Sequence, residues 1–410
     1  MRGAAEDLLD SGAAWRRLAA IIALGAVGGV GLWSVVVALP HVQAEFGATR
    51  AEASLPYTLV MLGLAAGAVA MGRAADRFGP MRPLVLGTVI ISAGYVLAGL
   101  APSLLVFALA HGLLIGLGSS ASFAPLVADA SLWFRRRRGI AVALAACGNY
   151  FAGAAWPPIL TALIEAYGWR VAHVAVGVAC LVLMLPLSLA LRARAPGLRE
   201  PPPAPRPGGP VPMSSNALTA VLCVAGFACC MAMAMPQVHI VAYCGDLGYG
   251  VARGAEMLSL MLVTGVVSRI ASGFIADRIG GLLTLLLGST LQGLALLLFL
   301  FFDSLASLYL LSALFGLVQG GIVPAYAVIV RERLPAAEAG GRIGIVLMST
   351  MVGMAAGGWM SGVVFDLTGS YAAAFVNGVL WNLVNVAVVL WLLGRGASRR
   401  PAAAARGVTP

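Results

Sequence analysis

Arg269 sits where an arginine is costly. It lies inside an apolar stretch, with Met261 to Val267 before it and Ile270 to Ile275 after it. A guanidinium at the centre of a membrane helix costs on the order of 3 kcal/mol on insertion scales. Such a group is expected to face a cavity and a partner. No carboxylate falls at comparable depth, because Asp129, Glu165, Glu256, Asp303, Glu332 and Asp366 all sit near the ends of apolar runs. A planar guanidinium without an internal acid suits an anion, and a carboxylate best of all. The competing reading is that Arg269 bonds helix carbonyls or reaches toward the membrane surface.

Other polar groups occur at similar depth. His111, in A-L-A-H-G-L-L-I-G, titrates near neutral pH in water, so it is a candidate for substrate binding and for carrying a proton. Asn149, Tyr150, Gln319 and Tyr326 complete the candidate substrate-binding set with Arg269 and His111. Asn382, Asn385, Gln237 and His239 are further polar groups in apolar runs. For each of these the blander reading is a hydrogen bond between helices. No catalytic constellation is visible: there is no phosphate-cradling glycine loop with Lys, no H-E-x-x-H and no C-x-x-C. The six cysteines lie in or beside apolar runs and read as small core residues. The expectation is a protein that is not an enzyme, with no metal and no cofactor.

The elements that must position these residues are long and apolar. The chain has 410 residues, 60% hydrophobic and 10% charged, with a mean hydropathy of +0.95. A soluble globular chain carries about 25% charged residues. Twelve apolar runs recur, at about 18–39, 53–72, 83–101, 104–129, 139–163, 169–191, 216–243, 255–276, 282–301, 305–330, 341–366 and 371–393, each long enough to span a bilayer. In hydrocarbon every backbone N–H and C=O must be paired within the protein, so these runs are helical. One connection is long: the Pro- and Gly-rich stretch 192–215 reads as an extended cytoplasmic linker. It divides the chain into an N-terminal six-helix bundle, 1–191, and a C-terminal one, 216–394, with a disordered tail at 395–410. The acidic residues Glu6, Asp7 and Asp10 and the length of the first run argue against a cleavable signal.

The net charge of +10 comes from arginine alone, and it is parcelled into short loops rather than gathered for nucleic acid. Only Arg50, Arg170 and Arg253 fall in one set of loops and Arg269 within a span; all the others, Arg135 to Arg138 included, fall in the opposite set. By the positive-inside rule both termini face the cytoplasm of a multi-pass protein in the cell (inner) membrane. Glycines recur at spacings of three and four, as at Gly25, Gly28 and Gly29 or Gly353, Gly357, Gly358 and Gly362. This spacing permits close helix packing, and also rocking of one helix on another.

A short pattern occurs twice: G-R-A-A-D-R-F-G from Gly72 to Gly79, and G-F-I-A-D-R-I-G from Gly273 to Gly280. With twelve runs split six and six, it resembles the signature loop of the major facilitator superfamily over nearly the whole chain. Within that superfamily the chain resembles the monocarboxylate transporter and oxalate/formate antiporter group. The pieces that carry this are E-F-G-A-T-R-A-E-A-S (Glu45 to Ser54), W-F-R-R-R-R-G-I-A (Trp133 to Ala141), Y-G-W-R-V-A (Tyr167 to Ala172), V-H-I-V-A-Y-C-G-D-L-G (Val238 to Gly248), Arg269, and F-D-L-T-G-S-Y-A-A-A-F (Phe365 to Phe375).

The resemblance implies an all-α membrane protein of twelve transmembrane helices in two pseudo-symmetric six-helix bundles, functional as a monomer. It implies secondary transport of a small monocarboxylate, lactate- or pyruvate-like, by alternating access. Arg269 would bind the carboxylate, and Asp76, Arg77, Asp277 and Arg278 would control conformation. Proton symport, organic-anion exchange of the oxalate/formate type and multidrug export are the readings left open. The acidic residue that monocarboxylate transporters often carry one turn before this arginine is Gly265 here, and the lysine some of them carry in span one is absent. The second basic residue that oxalate carriers use in span eleven also has no basic match here, and together these departures weigh against proton coupling and against a dianion such as oxalate, which would want two cations.

Overall fold

The computed structural model describes residues 9–134, 138–193, 213–334 and 336–397. Every regular element among them is helical. Eleven helices are long and apolar enough to cross a membrane: Gly12–Phe46, Arg50–Ala75, Met81–Gly99, Leu104–Ala130, Ile140–Leu191, Ser215–Asp246, Val251–Ala276, Gly281–Leu298, Leu305–Arg333, Arg342–Thr368 and Tyr371–Arg395. The fifth has 52 residues, about 78 Å at about 1.5 Å per residue, against a hydrocarbon layer of about 30 Å. Gly168 turns the chain inside it at φ 81, a left-handed value that glycine adopts readily. This stretch therefore holds runs five and six of the sequence, and there are twelve crossings. They are called spans one to twelve below.

The two copies of the short pattern end their helices in the same way. Span two continues as helix Arg50–Phe78 and span eight as Val251–Ile279, each of 29 residues. Gly79 follows the first at φ 80 and ψ 164, and Gly280 the second at φ 83 and ψ 164. Spans four and ten are both broken beside a proline. Span four has a turn at Ala121–Phe123 before Pro125, and span ten one at Gly320–Gly321 before Pro324. Proline has no N–H for the carbonyl four residues before it, so the breaks free the carbonyls of Ala121 and Gly320.

Internal ties hold each half. In the first, Arg17 is 4% and Asp129 5% exposed, and they pair through two bonds, Nε to Oδ2 at 2.7 Å and Nη2 to Oδ1 at 3.0 Å. Arg17 also donates to the carbonyls of Ala190 and Leu191 at the end of span six. In sequence Arg17 directly precedes the first apolar run; burial and the acid on span four give it a structural task. In the second half, Asn382 donates to the Ser289 carbonyl at 2.9 Å and Asn385 to the Ala225 carbonyl at 2.7 Å.

Span twelve stays helical through Ala397, past the expected boundary at 394. Residues 398–410 of the expected tail, most of the linker (194–212), and Arg135 to Arg137 lie outside the described residues.

Candidate functional site

Arg269 lies on helix Val251–Ile279, about 15 Å from its Ile279 end at about 1.5 Å per residue, inside the membrane-spanning stretch Val251–Ala276. Its Nε donates to the Gly320 carbonyl at 3.2 Å and its Nη1 to the Ala146 carbonyl at 3.0 Å. The first acceptor is the carbonyl freed by Pro324. The second comes from the end of helix Arg138–Ala146 in span five, so this bond crosses from the second half of the chain to the first. The ring of Tyr150, also in span five, lies over the guanidinium with its centroid 4.3 Å from Cζ. Among the described residues no carboxylate pairs with Arg269.

An arginine has five N–H donors. Two are engaged here, both with neutral backbone oxygens. The Nη2 edge has no acceptor among the described residues, and Arg269 is only half-buried. Two further polar groups at this crossing of spans eight and ten lack partners among the described residues, the buried Ser268 Oγ and Gln319 Nε2. The Oε1 of Gln319 accepts from Gln237 Nε2 on span seven. Arg269 itself thus offers a free guanidinium edge, which can hold a carboxylate.

The sequence missed why residue 265 is glycine. A Cβ there would lie 2.4 Å from Cε1 and 2.8 Å from Cδ1 of Tyr150. The ring that covers Arg269 fills the room that an acidic side chain would need. Gly265 and Tyr150 are far apart in sequence, so no local pattern shows the conflict.

The other expected site residues are distributed as follows. Asn149 is half-buried on span five; its carbonyl accepts from Trp33 Nε1 at 3.2 Å, and its Oδ1 lies close to Gly29 of span one. It is one residue from Tyr150 and shares its region. His111 is enclosed within the first half, in a short π-helical stretch, Ala110–Gly116. Its ring packs against Phe107, Tyr95 and His173, and its Nδ1 faces the Phe107 carbonyl at 2.9 Å. Tyr326 is fully buried, and its hydroxyl accepts from Asn385 Nδ2 at 2.5 Å. It is turned toward span twelve within the second half. The geometry therefore brings Tyr150 onto Arg269, with Asn149 next to Tyr150 in the chain and Gln319 next to the Gly320 acceptor, and leaves His111 and Tyr326 in helix-packing positions. Arg77 and Arg278 are exposed at the ends of spans two and eight. The side chains of Asp76 and Asp277 lie outside the described residues.

Comparison with known proteins agrees with this architecture. The family profile described as Major Facilitator Superfamily matches residues 21–309 and 222–409. Curated relatives include monocarboxylate transporter 13 of Rattus norvegicus, 30% identical over 77% of this chain and 74% of its own length, and its Bos taurus counterpart, 29% identical over the same shares. Monocarboxylate transporter 11 of Homo sapiens is 28% identical over 90% of this chain and 80% of its own. Among solved structures, a nucleoside transporter NupG variant superposes with a TM-score of 0.71 at 12% identity, covering 93% of this chain and 99% of that one. A bacterial homologue of the human lysosomal transporter Spinster, inward-facing and occupied, gives 0.66 at 14% identity over 93% and 94%. With twelve crossings, the doubled loop and a profile match over most of its length, this chain belongs to the Major Facilitator Superfamily and is an integral membrane transporter that resembles the monocarboxylate transporters.

Proposed function

We propose that this protein is a secondary active transporter that moves a small organic monocarboxylate across the cell membrane by alternating access, with both termini in the cytoplasm. The observation that carries the reading is Arg269: a cation inside a membrane-spanning helix, unpaired with any described carboxylate and with a free guanidinium edge. A carboxylate at that edge supplies the missing negative charge through paired N–H bonds. The names of the relatives, monocarboxylate transporters 13 and 11, point to the same class of cargo. Tyr150 and Asn149 of the first half complete the walls, so the cargo would touch both halves, as rocking of the halves about a central ligand requires. Asp76, Arg77, Asp277 and Arg278 are assigned to conformational control at the cytoplasmic ends of spans two and eight. The Tyr150 ring beside Gly265 supports a coupling that does not use an acid at that position.

The test is uptake into proteoliposomes of radiolabelled lactate, pyruvate, acetate, oxalate and one cationic dye, with and without an inward proton gradient. Wild type is compared with Arg269→Ala and Arg269→Lys. The expected result is uptake of at least one monocarboxylate that Arg269→Ala abolishes and Arg269→Lys restores poorly, because a point charge cannot replace the planar fork. The gradient arm separates symport from exchange. Dye transport that survives Arg269→Ala, with acids ignored, would leave Arg269 as a helix-carbonyl brace and make the protein an exporter of hydrophobic cations.

A further inference from the structure

The first half encloses a pair of histidines that the cargo site does not use. His111 lies on span four and His173 on span six, 0% and 1% exposed, with ring centroids 5.5 Å apart. Both are set in the same way. Nδ1 of His111 lies 2.9 Å from the Phe107 carbonyl, and Nδ1 of His173 lies 2.7 Å from the Trp169 carbonyl, each four residues back in its own helix. A carbonyl oxygen only accepts, so each Nδ1 carries a hydrogen and donates it. In the neutral ring Nε2 is then a bare lone pair. Both Nε2 atoms are buried and without a partner among the described residues.

The pair is enclosed by other rings. The Phe107 centroid lies 4.2 Å from that of His111 and 5.4 Å from that of His173. Tyr95 stands at 6.4 Å and 5.8 Å from the same two rings, and Trp169 at 5.6 Å from His173. The Tyr95 hydroxyl is engaged with Ser34 Oγ at 2.7 Å, and Trp169 Nε1 donates to Glu45 Oε2. No carboxylate pairs with either imidazole among the described residues. His111 also sits in the π-helical stretch Ala110–Gly116, a backbone form frequent at functional sites.

A buried acceptor left unpaired is costly, and two side by side ask for one ligand that takes two lone pairs. The arrangement is the one that metal-bound imidazoles use. A backbone carbonyl on the far nitrogen fixes the tautomer and the ring, and makes the near nitrogen a better ligand. With metal–nitrogen bonds of about 2.0–2.1 Å, two imidazoles on one ion have ring centres roughly 5–6 Å apart. The observed 5.5 Å falls in that range.

We propose that His111 and His173 form a site for one transition-metal ion, which each ligates through Nε2. Charge chooses among the ions that imidazole binds. With two neutral ligands, aromatic surroundings and no acid, one positive charge is less costly to bury than two, so cuprous copper is favoured over zinc(II). His173 lies one turn inside the Gly168 turn, on the face opposite the termini, the nearer side for an ion to enter. The ion would tie span four to span six without touching Arg269, so the inference stands apart from the cargo.

The test is equilibrium binding to the purified chain in detergent, with Cu(I) set by a competing chromophoric chelator without oxygen, and Zn(II) in a parallel arm. The native thiols also bind Cu(I), so the site is read as the equivalent that His111→Gln and His173→Gln each remove. Losing a ligand should weaken that equivalent roughly a hundredfold or more, beyond the about 10–100-fold of losing an outer-shell partner. His239→Gln, at a buried histidine of the second half that faces the Gly358 carbonyl, should keep it. The ion should also raise the melting temperature of wild type and of neither pair variant. If a pair variant does not yield monodisperse protein, X-ray absorption of wild type loaded with one equivalent decides, and imidazole nitrogen must appear in the nearest shell. Zinc bound in preference, and lost in the same two variants, upholds the site and overturns the choice of copper. Binding that neither variant weakens, or that only one does, overturns the site and leaves the pair holding water. No arm uses a monocarboxylate, so failure of the cargo reading leaves this test intact.

Discussion

The contact between Gly265 and Tyr150 sets a quantitative expectation for Gly265→Ala. The added Cβ would start 2.4 Å from Tyr150 Cε1, about 1 Å inside ordinary van der Waals contact. The main chain of span eight cannot yield easily, because a Cβ on Gly320 of span ten would already meet the Gly265 carbonyl at 2.3 Å. The Tyr150 ring must therefore move, and with it the face that covers Arg269. Overpacking of this kind costs roughly 1–3 kcal/mol, and loss of the ring over the guanidinium roughly 0.5–2 kcal/mol. In nanodiscs Gly265→Ala should melt several degrees lower than wild type. In a Tyr150→Leu background, which supplies the space, the same substitution should cost little, giving a coupling of roughly 1–3 kcal/mol between the two sites. Gly265→Asp should follow the same rule, tolerated only with Tyr150 shortened, and should then place an acid one turn from Arg269. Intrinsic-fluorescence melting of the four proteins of the cycle, with monocarboxylate uptake alongside, measures this. Strict additivity, or a Gly265→Ala protein as stable as wild type, would refute the claim that the ring occupies that space.

Other consequences follow from the same geometry. Removing one partner of the buried pair, as in Arg17→Ala or Asp129→Ala, should cost roughly 3–5 kcal/mol because it strands a buried charge, seen as loss of folded protein in detergent. Replacing both with apolar residues of similar volume, Arg17→Met with Asp129→Leu, should recover much of it. Tyr326→Phe should cost roughly 1 kcal/mol by leaving the Asn385 amide short of an acceptor, with the uptake KM unchanged, since Tyr326 faces the interior of the second half. His111→Ala should lower stability by roughly 2–4 kcal/mol through the void left among aromatic rings, again at unchanged KM. A folded His111→Gln protein whose uptake lost its response to a proton gradient would instead make His111 the proton carrier.

The sequence determined more of this protein than composition alone suggests. The apolar runs placed twelve crossings to within a few residues, because membrane-spanning helices must satisfy their own backbone and so carry their signal locally. Fusion of runs five and six into one helical stretch through Gly168 changes nothing about the crossings. The doubled loop announced the repeat, and the two helices carrying it end on glycines of nearly the same conformation. Arg269 was legible as well, since a cation in an apolar run is conspicuous.

What the sequence could not supply was the company that Arg269 keeps. Its acceptors are 51 and 123 residues away, and both are backbone carbonyls, which any residue possesses. Pro324 was the one available sign, for a proline frees the carbonyl four residues before it. His111 and Tyr326 looked like Arg269 in sequence, as polar groups in apolar runs. The difference lies in the direction each side chain faces, which helix rotation within the packed bundle decides. Arg50 and Asp366 read separately as residues of loop ends. Only the meeting of spans two and eleven lets Asp366 accept from Arg50 N at 2.8 Å, because pairing across halves depends on which helix ends the fold brings together.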